Sequence, residues 1–154
     1  DAVVRITGDC PLADPDLIDE VVEAYRADPS IDCVANTFDG HYPRGTDVFL
    51  AKTSALLQAA TEETRPYGRV HVTPYLRERT DIFRHKAIPG PSINYRHWRW
   101  TLDEDRDLRF LQEIYRRLGP KPDFSWLTVK AILDAEPELH EINADVRQKQ
   151  TGEL

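Results

Sequence analysis

Apolar and polar residues alternate at the start of the chain: Ala2, Val4 and Ile6 face one way, Val3, Arg5 and Thr7 the other. This is the period of a strand whose end feeds a loop at Gly8. Asp14 followed by Pro15 predicts an acidic N-cap and a proline in the first helical turn. Leu17, Ile18, Val21, Val22 and Tyr25 then fall at spacings of three and four, one apolar helix face that ends at Asp28, Pro29 and Ser30. Ile31 to Thr37 reads as a second strand, FDGHYPRG as a turn-rich loop and TDVFLAK as a short strand. Thr53 is placed to cap a helix carrying Leu56, Leu57 and Ala60. The stretch from Tyr67 to Phe83 is helical in pattern, with Pro74 inside it either starting or kinking a helix. Phe83 to Ile88 fits an edge strand, and after the breaker cluster PGPS, Trp98 to Leu102 fits another. Leu108, Leu111, Tyr115 and Leu118, with Phe110 and Ile114 beside them, predict an amphipathic helix stopped by Gly119 and Pro120. A further helix is expected from about Ser125 to Ala135, before a polar tail that wraps the surface. Alternating strands and helices predict one α/β domain with a largely parallel sheet.

Composition narrows the class. With 154 residues, 40% hydrophobic and 31% charged, and with 11 Pro and 7 Gly, the chain is neither collagen-like, low-complexity nor disordered. No apolar stretch approaches the roughly 18 residues that would cross a bilayer, and the mean hydropathy is -0.56. A formal charge of -7 disfavours nonspecific binding to nucleic acid or to an anionic membrane. The two cysteines, Cys10 and Cys33, read as free thiols of a cytoplasmic protein. The chain contains no methionine, and its opening reads as the inside of a strand. The expectation is therefore a piece of a longer protein, missing its N-terminal part.

In open α/β sheets, ligands bind beyond the carboxyl ends of the strands, and two expected strands here end in acidic loops. If the extended conformation persists through Gly8, Arg5, Thr7 and Asp9 share one side in RITGDCPLADP. In HWRWTLDED the same parity groups His97, Arg99, Thr101 and Asp103, with Trp98 and Trp100 opposite as packing residues. Asp9 and Asp103 could converge from two strand ends, and such a carboxylate pair suits Mg²⁺, which takes hard oxygen ligands and keeps several waters. Each Asp could equally only cap the helix that follows it. No GxGxxG, GxxxxGKS, CxxC or HExxH motif is present, and Cys10 lacks an identifiable partner base, so it reads as a small loop residue.

Several ordered segments carry a resemblance: R-I-T-G-D-C-P-L-x-D-P-x-x-I-D, Y-P-R-G-T-D-V, H-V-T-P-Y-L-R-E, R-W-T-L-D-x-x-x-D-L and the closing E-I-N-A-D-V-R-Q-K. Together they resemble the spore coat polysaccharide biosynthesis cytidylyltransferases, relatives of the CMP-sialate and CMP-Kdo synthetases. The resemblance implies a nucleotide-diphospho-sugar transferase fold, a three-layer sandwich, and transfer of CMP from CTP to a sugar acid with release of pyrophosphate. It implies a catalytic Mg²⁺ on Asp9 and Asp103, with Asp105 either a further metal contact or a first-turn helix acid. Arg44 and Tyr42 would border the acceptor pocket, unless Arg44 pairs with Asp39 or Asp47. His71 is implied as a sugar contact, unless it is a half-buried structural histidine; Arg5, on the face of Asp9, would touch substrate or pair with that carboxylate. A homodimer contact near the H-V-T-P-Y-L-R-E segment is also implied. The chain departs from the family at Val70, where relatives often carry Glu, and at Glu104-Asp105-Arg106, where they tend to have Thr-Pro-Glu. The CTP-gripping loop of the family lies in the N-terminal portion, so this piece alone is expected to bind CTP poorly. Two other readings stand beside it: a glycosyltransferase using Asp103-Glu104-Asp105 as a D-x-D motif, and a noncatalytic oligomerisation or binding module.

Overall fold

Strand β2 (Cys33–Ala35) is buried along its whole length, which requires cover on both faces of the sheet. In the computed structural model, which describes residues 1–120 and 124–147, that cover is supplied by helices on either side. The sheet also contains β1 (Ala2–Arg5), β3 (Phe49–Lys52) and β4 (His85–Ala87), in the order β1-β3-β2-β4. Side chains alternate between the layers as the strand period demands. Cys33, Ala35, Phe49 and Ala51 pack toward Ala55 and Ala59 of α2 (Thr53–Glu62) and Tyr75 and Leu76 of α4 (Pro74–Glu78). Val34 and Leu50 point the other way, onto Leu17 and Val21 of α1 (Pro15–Ala27). Complete burial of one such aliphatic chain contributes about 1.5–3 kcal/mol, so these two clusters fix the register.

The α/β layering agrees with the sequence pattern; the strand directions differ from it. β1 and β2 both pair antiparallel with β3, and only β2 and β4 are parallel. The cause is local. A parallel neighbour needs a crossover of a dozen or more residues, usually a helix, and the chain between β2 and β3 is instead tied back on itself. Buried Asn36 donates from Nδ2 to the Thr46 carbonyl at 2.7 Å and accepts the Val48 N–H at 2.9 Å. The loop therefore returns the chain beside β2 in the opposite sense.

A third cluster lies at one end of the sheet. Phe110, Leu111 and Ile114 of α5 (Asp105–Leu118) and Val129 and Leu133 of α6 (Trp126–Ala135) enclose Leu12, Trp100 and Leu139, the last from a 3₁₀ turn at Pro137–Ile142. One buried carboxylate joins this cluster to α1: Asp14 Oδ1 accepts the Asp16 N–H at 2.8 Å and Oδ2 accepts the Trp126 N–H at 2.7 Å, capping two helices. Between α2 and β4, Pro74 starts a helix: α3 (Pro66–His71) and α4 each begin on a proline, and Val72 between them adopts φ 66°. The expected strand Trp98–Leu102 is extended but makes a single ladder contact, the parallel bridge between Arg44 and Arg99. The tail beyond residue 147 lies outside the described residues.

Candidate active site

The loop after β1 closes at once: the Cys10 N–H donates to the Thr7 carbonyl at 3.1 Å. The extended conformation thus stops at Thr7 instead of running through Gly8. Leu12, fully buried, anchors the loop's far end, and Tyr115 on α5 donates its hydroxyl to the Pro11 carbonyl at 2.6 Å. The Leu102 N–H reaches the Asp9 carbonyl at 2.9 Å, which ties this loop directly to the segment carrying Asp103. Asp103 sits just before α5, whose N-terminus is closed by a capping box between Glu104 and Asp107. Gly45 brings in the third part. It has φ +98°, and its Cα lies so close to Trp100 and Thr101 that a Cβ would meet their backbone atoms at 2.6–2.9 Å. Arg44 is thereby held beside Arg99, through the Arg44 N–H to the Trp98 carbonyl (3.0 Å) and the Trp100 N–H to the Arg44 carbonyl (2.8 Å).

These three segments enclose a cleft of about 350 Å³ lined by Thr7, Asp9 and Cys10, by Arg44 and Asp47, and by Arg96, Arg99, Thr101, Asp103 and Glu104, with Arg147 at its rim. Charges of both signs face it. Arg96 forms a bidentate pair with Asp47, at 2.7 and 3.2 Å. Arg99 Nη2 lies 2.8 Å from Asp103 Oδ2 and 2.7 Å from Asp107 Oδ2, and Thr101 donates to the same Asp103 oxygen at 3.1 Å. Arg44 forms no hydrogen bond or ion pair with a described side chain; burial, then the guanidinium groups of Arg96 and Arg99 against the opposing charge of Asp47, hold its pKa below the ordinary arginine value. Such a cation favours an incoming anion. Burial opposes ionisation of Asp107, but hydrogen bonds from Arg99, Asn143 and the Asp103 backbone outweigh it and leave its carboxyl below the usual range. Cys10 is not activated: burial pushes its thiol up to about 11.

The structure thus brings Asp9, Asp103 and Arg44 to one cleft, together with Thr7, Arg99 and Thr101 of the two parity groups. His97 lies instead in an adjoining pocket of about 340 Å³ with Trp98 and His140, which shares Arg44 and Arg99 with the first. Four expected site residues fall outside the cleft. Tyr42 is a core residue: its ring packs edge-on against Trp126 and its hydroxyl donates to the Pro89 carbonyl. His71 ends α3, exposed, with its ring on Tyr67. Arg5 is half-buried at the end of β1, and no ion pair joins it to Asp9, because the turn at Thr7 carries Asp9 away from the strand's parity. Asp105 is the first residue of α5 and is absent from the cleft; with Asp103, Glu104 and Leu108 it lines a neighbouring pocket. Sequence reading passed over Asp107, Asn143 and Arg96, and named Asp47 only as a possible partner of Arg44, where the structure pairs it with Arg96. The first two were visible only as letters of the family-like segments, since a buried acid and a buried amide carry no periodic signal.

Among the described residues, no group of three or more His, Cys, Asp or Glu side chains is placed to hold a metal by itself. Asp9 and Asp103 nevertheless offer hard oxygen donors to one cleft, and Mg²⁺ is commonly bound by one or two carboxylates with water and substrate phosphate completing its shell. The donor set fits Mg²⁺ in that mode and does not fit a closed structural site.

No protein-family model matches the chain. It is 31% identical over its whole length to an uncharacterized protein of Methanocaldococcus jannaschii, of which it covers 62%. Over 88% of its length it is 25% identical to the spore coat polysaccharide biosynthesis protein SpsF of Bacillus subtilis, covering 56% of that protein. Its fold superposes on a cytidylyltransferase of Leptospira borgpetersenii with a TM-score of 0.83 and 26% identity, across 97% of this chain and 61% of that one. The chain therefore spans roughly three fifths of the length of the relatives it matches. In sequence the chain is thus similar to a spore coat polysaccharide biosynthesis protein, and in fold to a cytidylyltransferase.

Proposed function

We propose that the full-length protein is a Mg²⁺-dependent cytidylyltransferase of surface polysaccharide biosynthesis that transfers CMP from CTP to a sugar acid or a related anionic acceptor. The observation that supports this reading best is that Asp9 and Asp103, 94 residues apart in the chain, line one cleft with Arg44, whose side chain makes no ion pair with a described residue. In the reaction an acceptor hydroxyl loses its proton to water as its oxygen forms a bond to the α-phosphorus of CTP, the bond to the bridging oxygen breaks, and pyrophosphate leaves. Mg²⁺, when bound, neutralises charge on the phosphate oxygens and aligns them for displacement. Asp9 and Asp103 hold that ion, and Arg44 takes the acceptor's carboxylate or phosphate in a two-pronged contact. Arg96 is oriented on the same wall by its bidentate pair with Asp47.

We assign the working unit as a homodimer; at its H-V-T-P-Y-L-R-E segment, Val72 and the preceding Val70 are exposed, whereas Tyr75 is buried and offers a contact nothing. A D-x-D glycosyltransferase is less well supported, because Asp105 lies with Asp103 along a neighbouring pocket and not on the cleft that brings Asp9, Asp103 and Arg44 together. We place the activity in the cytoplasm, where CTP is available. The test is pyrophosphate release from CTP by the full-length protein with sugar-acid acceptors. Asp103→Asn should lower turnover at least ~10²-fold, the scale of losing a preorganised charge-stabilising group. Arg44→Ala should raise the acceptor KM with CTP use unaltered. Turnover unaffected by Asp103→Asn in a folded protein contradicts the reading, and an absence of CTP and Mg²⁺ binding by the full-length chain favours a noncatalytic module.

A further inference from the structure

Asp107 is completely buried, and it accepts more hydrogen bonds than the capping of α5 requires. Its Oδ1 accepts from Arg99 Nε and from Asn143 Nδ2, both at 2.9 Å. Its Oδ2 accepts from Arg99 Nη2 at 2.7 Å and from the backbone N–H groups of Asp103 and Glu104, both at 3.0 Å. A capping box needs one bond in each direction; the surplus here goes to the groups that flank Asp103. Asn143 closes the ring by donating to the Arg99 carbonyl at 3.0 Å. Arg99 is the shared member, its Nη2 lying between Asp107 Oδ2 and Asp103 Oδ2. The three side chains differ sharply in access: Asp107 is 0% and Arg99 9% exposed, while Asp103 is 44% exposed and faces the cleft.

We propose that Asp107 and Asn143 are positioning residues for Asp103, and that Arg99 is its resident counter-ion, released from Asp103 when a divalent ion binds and retained by Asp107. The inference rests on the metal role proposed for Asp103. A guanidinium and a divalent cation repel one another and cannot both sit cheaply on one carboxylate oxygen. Loading the ion therefore breaks the Arg99–Asp103 contact. That loss is small because Arg99 keeps its bidentate hold on Asp107, a charge-assisted pair of fixed geometry. Without Asp107, or with Asp107 loosened by loss of Asn143, the guanidinium of Arg99 leans more on Asp103 and competes with the ion. Metal ligands commonly depend on such outer partners, whose removal weakens metal affinity by about 10- to 100-fold.

The experiment is Mn²⁺ binding to the full-length protein without nucleotide, read from the electron paramagnetic resonance of the free ion. Asn143→Ala and Asp107→Asn should each weaken Mn²⁺ binding about tenfold or more, with far-ultraviolet circular dichroism unchanged. A purely structural role for the pair predicts lower stability and unaltered affinity. In a second readout, the Arg99 Nε–H resonance should persist through a Mg²⁺ titration while its Nη protons shift. Wild-type Mn²⁺ affinity in both folded variants overturns the proposal, as does loss of the Nε–H resonance on adding Mg²⁺; should Asp107→Asn fail to fold, Asn143→Ala alone decides. Wild-type affinity in Asp103→Asn is a separate failure, since it removes the metal role of Asp103 itself and this inference with it.

Discussion

Replacing Gly45 by alanine places a methyl group 2.6 Å from the carbonyl carbon and oxygen of Trp100 and 2.9 Å from the Thr101 nitrogen. Carbon atoms in ordinary contact sit about 3.5–4.0 Å apart, and these neighbours are backbone, which cannot swing aside as a long side chain can. The same backbone carries the two bonds that hold Arg44 against the Trp98–Trp100 segment, at 3.0 and 2.8 Å. The cost has two parts. Holding a non-glycine residue at φ +98° costs about 1–2 kcal/mol, the figure for left-handed backbone. Prising the strands apart forfeits two hydrogen bonds at about 1 kcal/mol each, for a total of about 3–4 kcal/mol. Gly40 supplies the control: its φ is +67°, yet no heavy atom lies within 4 Å of the added Cβ. Gly40→Ala should cost only the conformational part, about 1–2 kcal/mol. Urea unfolding of both variants measures the difference. Equal losses would refute the claim that the close approach of the Arg44 loop to Trp100 builds this wall of the cleft.

Asp14→Ala orphans the N–H groups of Asp16 and Trp126 together, so urea unfolding should show a loss of about 2–4 kcal/mol, with Asp14→Asn recovering part of it. The Glu63 carboxyl is held down to about 2, first by the Arg65 side chain and then by the Arg65 backbone N–H. Because this folded-state value lies below the ordinary 4.5, its contribution to stability is present above that pH and is lost as pH falls toward about 2. Glu63→Gln should accordingly flatten the acid-side fall of the urea midpoint relative to the wild type. Cys10, with its thiol pushed up to about 11 by burial and, further, by the charge of Asp9, stays protonated at neutral pH. Cys10→Ser should preserve turnover, and iodoacetamide should label Cys10 far more slowly than an exposed thiol at pH ~8.

The sequence pattern revealed most where local rules act without competition. Asp14 and Pro15 marked the start of α1, Ser125 that of α6, and Gly119 the end of α5, because caps and breakers act within one turn of helix. The expected edge strand at Phe83 to Ile88 is β4, at the edge of the sheet. Strand direction was not legible in the same way. It depends on the buried side chain of Asn36, a polar residue with no periodic signature, reaching across its loop to Thr46 and Val48. Parity grouped His97, Arg99, Thr101 and Asp103; the last three share the cleft, while His97 lines the adjoining pocket. It misplaced Arg5 because the chain turns at Thr7. Tyr42 shows the opposite failure: an aromatic ring in a turn-rich loop looks available to a ligand, but its loop packs against α6 and buries it. Asp107 and Asn143 were missed for a general reason, that residues acting through other residues need three-dimensional neighbours before their chemistry can be read.

A crystal structure of the full-length protein with Mn²⁺ and a nonhydrolysable CTP analogue tests the metal assignment most directly, because manganese is located by its anomalous scattering. The expected result is a single ion coordinated by carboxylate oxygens of both Asp9 and Asp103 and by phosphate, with Arg99 withdrawn onto Asp107. An ion bound elsewhere, or one that engages neither carboxylate while nucleotide occupies the cleft, would contradict it.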